Sequence, residues 1–369
     1  MHITRITLFA NVGVAASLVF IPNFARSVGA TPDQIGVIFA AHSFMALLSS
    51  FAFGRYADVR GRKRVLQLGL SVSTVAALLQ VFAFDPVSIG LSRAFLGFAL
   101  GMYPGALVAY AYEANHLMGK FASYGSIGWA AGNFAAGVLG YAYPTQFALV
   151  FAASSAAFFL AWLYALGLTA KEERSVAVPL FPKAVIRRNL SIYLTMLIRH
   201  TGANMVWVIF PLFLQVDRGF TYLEIGIVLA FNPLVQAAVM PQLDRYRATP
   251  LVAVGIILSG LTFFLFTVAA DFLQMMLVQI VLGTAWATIY VGSLKFVTER
   301  NVERATAAGL LSSVMTLSSI LGPLAGGLIA NVYGYYGAMY AALGMSLLAL
   351  LTYVVALRNH VGTERPLPT

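Results

Sequence analysis

The sequence contains no cysteine and very little charge. Only 10% of its 369 residues are Asp, Glu, Lys or Arg, whereas an average soluble domain carries about 25%. Without cysteine there is no disulfide framework and no thiolate chemistry. The motifs His-Glu-x-x-His, Gly-x-Ser-x-Gly and Gly-x4-Gly-Lys are also absent, and with them the usual signatures of a zinc protease, a serine hydrolase and an ATP-driven pump. We therefore expect no catalytic residue, no metal site and no cofactor.

Apolar residues make up 60% of the chain, and the mean hydropathy is +0.83. They form twelve runs of about 20 residues, the length of helix that crosses a hydrocarbon core about 30 Å thick. Such segments must close their own backbone hydrogen bonds, so the sequence predicts an all-α membrane protein with twelve transmembrane helices. The predicted spans are residues 6–25, 34–54, 65–84, 87–112, 119–142, 146–168, 189–215, 221–243, 250–270, 272–297, 305–330 and 335–357.

Lys and Arg are distributed very unevenly around these spans. With a cytoplasmic N-terminus, 19 of the 23 basic residues lie on the cytoplasmic face, and only Arg26 and Arg218 lie on the other face. Such a bias indicates membrane orientation. We therefore expect a multi-pass protein of the cell membrane with both termini in the cytoplasm. The net charge of +10 then reflects topology, and no nucleic-acid partner is expected.

The two halves of the chain repeat each other at an offset near 190 residues. Thr31 and Gly36 return at the same spacing as Thr221 and Gly226, and comparable matches join the fourth and tenth spans. Ordered matches within equivalent spans indicate two pseudo-symmetric six-helix bundles. The predicted domains are residues 1–168, a cytoplasmic linker at 169–188, and a second bundle with a short tail at 189–369.

The segment between the second and third spans has a specific spacing of small, acidic and basic residues. Gly54, Asp58, Gly61, Arg62 and Lys63 form the pattern Gly-x3-Asp-x2-Gly-Arg-Lys. A plain cytoplasmic loop would explain the bases but not this spacing. The pattern resembles the signature of the Major Facilitator Superfamily. That resemblance implies the major facilitator fold and transport of a small solute by alternating access, and we expect a monomer within the lipid bilayer.

Other residues acquire possible roles through the same resemblance. Glu113 and Lys120 are similar to the Glu-x6-Arg pair of the family, with lysine in place of arginine. Arg93 resembles the arginine of the fourth helix that is often placed in proton coupling; the alternative is that its side chain snorkels to the membrane surface. In addition to the signature residues, the predicted gating residues are Arg60, Glu113, Lys120, Glu299 and Arg304.

The predicted central site is built around Arg199 and His200 in the seventh span. Arg199 lies about 13 Å from the start of that span at 1.5 Å per residue, near the middle of the membrane. His200 is also a candidate for proton coupling, because its unperturbed pKa lies near 6.5. The other candidate solute-binding residues are Asn11, His42, Asn204, Asn232, Gln236, Gln279, Trp286 and Tyr290, and Asn133 is a further polar residue within a span.

All thirteen acidic residues fall at span ends or in loops. Because no acid within the membrane balances Arg199, we expect the site to prefer an anionic or carboxylate-bearing solute. In the competing interpretation, Arg199 is structural and pairs with a backbone carbonyl or with Glu299. A drug or multi-substrate efflux carrier, and a lipid-handling or sensor protein on the same fold, remain alternative functions.

Overall fold

The computed structural model describes residues 2–115, 118–168, 182–243, 245–301 and 304–361. The described residues form fifteen α-helices and two short 3₁₀ helices, with no strand among them. In the first half the helices are α1 (His2–Val19), α2 (Ile21–Ser27), α3 (Pro32–Arg60), α4 (Arg62–Leu79), α5 (Pro86–Met102), α6 (Pro104–Asn115), α7 (Met118–Ala142) and α8 (Phe147–Leu166). In the second half they are α9 (Lys183–Arg188), α10 (Leu190–Trp207), α11 (Phe210–Val216), α12 (Tyr222–Val239), α13 (Ala248–Val268), α14 (Phe272–Glu299) and α15 (Arg304–Val361).

These helices give twelve membrane crossings, which confirms the predicted fold class. Ten segments of the described chain are long and apolar enough to cross a membrane. The longest of these, Ala307–Ala356, contains two crossings, because α15 is interrupted at Gly334 by a positive φ of 71°. Glycine adopts this conformation without steric cost. The 25-residue helix α7 supplies the remaining crossing.

Prolines interrupt three of the predicted spans without ending them. Pro22, Pro104 and Pro211 lie at the starts of α2, α6 and α11. A proline fits the first turn of a helix but cannot donate a backbone hydrogen bond within one. The first, fourth and seventh crossings are therefore each built from two consecutive helices.

The signature segment lies between two membrane spans, Pro32–Phe53 and Arg62–Phe82, and is mostly helical. Helix α3 continues to Arg60, and α4 begins at Arg62, so that Gly61 alone joins the two helices. Gly61 has a φ of 103°, a conformation that other residues rarely adopt. A single residue therefore reverses the chain, and helix α3 continues about six residues beyond the predicted end of the second span at residue 54.

Helix starts repeat between the halves in the same way as the sequence. The backbone N–H of Thr31 donates to Gln34 Oε1 at 3.0 Å, and the N–H of Thr221 donates to Glu224 Oε2 at 2.8 Å. A side chain three residues into the helix thus satisfies the backbone at equivalent positions of α3 and α12. These equivalent caps support the internal duplication.

Within the described part of the chain, the hydrophobic core is shared between the halves at one end only. The largest cluster takes side chains from both halves, including Phe20 and Ile225. Toward the other end, one cluster around Leu66 belongs to the first half and another around Val252 belongs to the second. We call the end with the shared core, which carries Arg26 and Arg218, the closed end. The opposite end, which carries Arg62 and Lys183, is called the open end.

Candidate functional site

Helices α7 and α12 cross in direct backbone contact at the closed end. A Cβ atom placed on Gly226 would lie 2.6 Å from Gly137 Cα and 2.8 Å from the carbonyl oxygen of Asn133. No side chain fits between backbones at these distances. The two glycines therefore allow the first and second halves to approach closely.

A second crossing joins α3 to the part of α15 that precedes Gly334. A Cβ atom on Gly327 would lie 2.5 Å from the carbonyl oxygen of Pro32 and 3.0 Å from Gly36 Cα. Gly36 is the counterpart of Gly226 in the sequence repeat. The closed end is thus sealed by two pseudo-symmetric crossings that both depend on glycine.

Polar and aromatic contacts complete the closed end. Asn23 Nδ2 donates to Gln215 Oε1 at 2.6 Å, and an Arg26 guanidinium nitrogen donates to the Tyr335 hydroxyl at 2.6 Å. The ring of Tyr222 packs edge-on against Phe20, with centroids 4.9 Å apart. Each of these contacts joins the first half to the second.

The space between the halves opens toward the open end. On α15, Pro323 and Gly327 are buried against α3, while Gly309, Ser312 and Thr316 continue the same helix face toward the open end. Gly309 and Ser312 are exposed, and Thr316 is half-buried. One helix face therefore changes from a buried interface to an accessible surface. Sequence reasoning missed this surface, although a cluster of serine and threonine at residues 312–319 could have indicated it.

Three stacked rings line the second half at mid-membrane depth. His200 stacks on Trp286 with centroids 5.1 Å apart, and Trp286 stacks on Tyr290 at 5.4 Å. His200 lies ten residues into α10, or about 15 Å along the helix. All three rings are half-buried, and Trp286 lies on the opposite side of α14 from the exposed Leu277. We call these rings the aromatic wall.

Arg199 is held behind the aromatic wall. Its side chain is 2% exposed, and its Nε donates to Ser259 Oγ at 2.9 Å. Ser259 in turn donates to the carbonyl oxygen of Gly255 at 2.6 Å. The guanidinium carbon lies 5.5 Å from the centroid of Trp286, within the range of a cation–π interaction. The charge is thus held by a neutral partner on α13 and lies against the ring of Trp286.

The first half contains a comparable pair on α3 and α5. Arg93 is 1% exposed, and one guanidinium nitrogen donates to the Ser17 carbonyl oxygen at 3.3 Å and to Gln80 Oε1 at 3.4 Å. His42 Nδ1 lies 2.9 Å from the carbonyl oxygen of Arg93. A carbonyl only accepts, so Nδ1 carries the proton in this hydrogen bond. The ring is half-buried, and within the described residues His42 Nε2 has no such partner.

The remaining predicted polar residues are used in different ways. Asn11 and Asn204 each donate to a backbone carbonyl four residues earlier in their own helix. Asn232 and Gln236 are hydrogen-bonded to each other on α12. Gln279 is fully buried, and neither atom of its amide has a partner among the described residues. Of this group, Asn11, Asn204 and Gln236 are half-buried.

The predicted gating residues can be placed only in part. Glu299 is the exposed last residue of α14, and Arg62 and Lys63 begin α4. A buried pair that sequence reasoning missed joins α14 to the start of α10: Asn189 and Asn301 each donate to the other at 3.0 Å. Six predicted gating residues lie outside the described side chains: Gly54, Asp58, Arg60, Glu113, Lys120 and Arg304.

Comparison with known proteins adds sequence relatives along the whole chain. The sequence profile of the Major Facilitator Superfamily matches residues 4–243 and 192–369. Multidrug resistance protein 2 of Bacillus subtilis (strain 168) is 22% identical over 360 residues, which cover 91% of this chain and 90% of that protein. Quinolone resistance protein NorA of Staphylococcus aureus (strain COL) is 21% identical over 359 residues, covering 93% and 92% respectively.

Solved structures share the fold at lower sequence identity. A crystal structure of a mutant of the nucleoside transporter NupG superposes with a TM-score of 0.83 and 14% identity, covering 96% of this chain and 98% of that chain. A second NupG structure gives a TM-score of 0.79 and 13% identity, with 97% and 98% coverage. At these identities the likeness concerns the fold alone.

Proposed function

The chain belongs to the Major Facilitator Superfamily, and from that premise we propose that it is a secondary or facilitative carrier of a small solute that works by alternating access. As a member of this family it is a multi-pass membrane transporter and not an enzyme. The observation that supports alternating access is the shared core at the closed end beside two separate cores at the open end. Both bundles come from one chain, so a monomer within the bilayer suffices.

The distribution of basic residues supports an orientation for this carrier. Arg26 and Arg218 are the two basic residues at the closed end outside the spans, whereas 19 of 23 lie on the opposite face. By the positive-inside rule the closed end faces outward and both termini face the cytoplasm. In this proposal the protein resides in the cell membrane, and its structure is the inward-facing state.

The aromatic wall and the charge behind it support a class of solute. Half-buried stacked rings offer area for an apolar or aromatic solute. Two guanidinium groups, on Arg93 and Arg199, are buried within the bundles, and the described residues place no carboxylate in contact with either. Their combined field favours a negative group and disfavours a cation in a low-dielectric cavity. We therefore infer an aromatic solute that carries a carboxylate or another anionic group.

A multi-substrate exporter is the second candidate function. The names of the relatives, a multidrug resistance protein and a quinolone resistance protein, favour it. Stacking on rings places few demands on the orientation of a solute, so the aromatic wall is compatible with several substrates. Within this candidate, aromatic cations would bind the rings by cation–π interaction despite the buried arginines.

Flux into proteoliposomes separates these functions. We would compare 2-naphthoate, 2-naphthamide and 2-naphthylmethylammonium, which share one ring system and differ in charge. We expect the naphthoate to be transported best, and Trp286→Leu to reduce its flux at least tenfold. Trp162→Leu, which removes a tryptophan from α8 that packs against Phe159, is the control and should retain flux. Preference for the amine would favour the multi-substrate exporter, and binding without flux would indicate a sensor.

A further inference from the structure

Helix α12 contains a proline within its interior. Pro233 lies twelve residues after the N-cap Thr221 and six before the last helical residue, Val239. In a regular helix the carbonyl of residue 229 would accept the N–H of residue 233, but proline has no N–H. The carbonyl of Leu229 therefore has no partner at that position of its own helix.

The missing hydrogen bond is supplied by the other half of the protein. Asn133 on α7 donates from Nδ2 to the carbonyl oxygen of Leu229 at 3.1 Å. Asn133 is 6% exposed, and both residues lie about one helical turn from the Gly137–Gly226 contact, toward the middle of the membrane. The hydrogen bond thus lies at the inner edge of the α7–α12 crossing, where the closed end gives way to the cavity.

Among the described residues, the pseudo-symmetric crossing of α3 and α15 shows no equivalent of this bond. At the offset of 190 residues, Pro233 corresponds to Ser43 and Leu229 to Phe39. Residue 43 has an N–H, so the carbonyl of Phe39 can be satisfied within α3. The Leu229 carbonyl therefore differs from its counterpart on α3, and it accepts from an amide of the first half.

We propose that the Leu229 carbonyl is a switch point of the outer gate, with two alternating partners. In the closed state its partner is the amide of Asn133. When α7 and α12 separate, its partner is water in the outward-facing cavity. The Leu229 carbonyl is buried only in the closed state, where it needs a partner within the protein. The hydrogen bond from Asn133 therefore stabilises the closed state and adds little to the stability of the open state, in which water solvates the carbonyl. The proposal concerns gating within this chain and does not depend on which solute is carried.

Changing the donor Asn133 and changing Pro233 should each open the gate, but changing both together should not. Asn133→Ala leaves the Leu229 carbonyl buried without a partner, and we expect the ratio of open to closed molecules to rise about 5- to 150-fold. Pro233→Ala restores an N–H that competes for the carbonyl and leaves the Asn133 amide unsatisfied, so it should also favour opening. In the double variant the Leu229 carbonyl accepts a hydrogen bond within α12, and the Asn133 amide that would lack a partner is no longer present. Closure should then return toward the wild-type level.

The measurement is a spin-label distance across the closed end in lipid nanodiscs. Labels at Thr145 and Ala270 lie in exposed connections of opposite halves, and the chain has no native cysteine that would react. The control is Gln67→Ala, because Gln67 Nε2 donates to the carbonyl of Ala165 at 2.9 Å within the first half. This variant removes the same type of bond without crossing the gate, and its distance distribution should match wild type.

Rescue in the double variant supports the proposal, whereas additive opening by the two single changes overturns it. If the proline variants do not fold, Asn133→Leu decides the question, since it keeps a side chain of similar size and removes only the donor that the Leu229 carbonyl needs. We expect Asn133→Leu to open the gate as Asn133→Ala does. Wild-type distances in both Asn133 variants would refute the switch.

Discussion

Adding one methyl group to Gly226 should drive the carrier toward the outward-facing state. The added Cβ would lie 2.6 Å from Gly137 Cα, 2.8 Å from the Asn133 carbonyl oxygen and 3.1 Å from the Gly137 nitrogen. Carbon atoms in normal contact are about 3.5–4.0 Å apart, so α7 and α12 must separate by about 1 Å. All three neighbours are backbone atoms, and none can move aside by changing a rotamer.

The size of this effect follows from the cost of overpacking. Extra methyl groups in a packed interface cost about 1–3 kcal/mol. The strain is present only when the crossing is closed. The higher helix propensity of alanine, up to about 1 kcal/mol over glycine, acts on both states equally. With about 1.4 kcal/mol for each factor of ten, the ratio of open to closed molecules should rise roughly 5- to 150-fold.

The assay is the distance between labels at Thr145 and Ala270, with Gly344→Ala as the matched control. A Cβ on Gly344 meets nothing within 4 Å, so this change adds the same methyl group to a helix without strain. We expect wild-type distances for Gly344→Ala and a much larger long-distance population for Gly226→Ala. Equal distributions in the two variants would refute the claim that close backbone contact at this crossing sets the resting state.

Three further predictions concern buried hydrogen bonds. Ser259→Ala should reduce naphthoate transport and lower the Tm, because Arg199 then loses the acceptor of its Nε hydrogen bond. An unsatisfied buried donor costs about 1–3 kcal/mol. Unchanged flux and Tm would show that Arg199 does not need this hydrogen bond. His42→Asn should keep a wild-type Tm, because the shorter amide can still donate to the carbonyl oxygen of Arg93, whereas His42→Leu should lower the Tm. Equal Tm values for the two variants would contradict the assignment of the proton to Nδ1 of His42. Asn301→Leu should lower the free energy of unfolding by about 1–3 kcal/mol. The double variant with Asn189→Leu should recover part of that stability, because neither amide is then left without its partner. A double variant as unstable as the sum of the two single changes would contradict the reciprocal pair.

The twelve helices and their duplication were predictable because membrane insertion requires long apolar runs. A run such as residues 250–270 needs no knowledge of its neighbours to be recognised, and the structure places α13 at Ala248–Val268. For the signature segment only the position between two spans could be predicted. The sequence predicted a connection there but not its conformation: the reversal needs only the positive φ of Gly61, and the preceding residues remain helical.

The partners of buried side chains could not be predicted from the sequence. A carbonyl or Glu299 was the expected partner of Arg199 in the structural interpretation, but the observed partner is Ser259 on α13. Which helix faces which is decided by packing between distant segments. The contact of Asn133 with Leu229 likewise depends on the crossing of α7 with α12, and no local pattern in either helix indicates it.

The most direct test of alternating access measures both ends of the protein at once. The pair Thr145 and Ala270 reports the closed end, and the exposed Arg64 and Gln242 report the open end of the same two halves. We expect wild type to show a short distance at the first pair and a long distance at the second, and Gly226→Ala to lengthen the first while it shortens the second. Alternating access would be contradicted if the distance of the first pair lengthened while that of the second pair stayed the same. It would also be contradicted if both distances lengthened together.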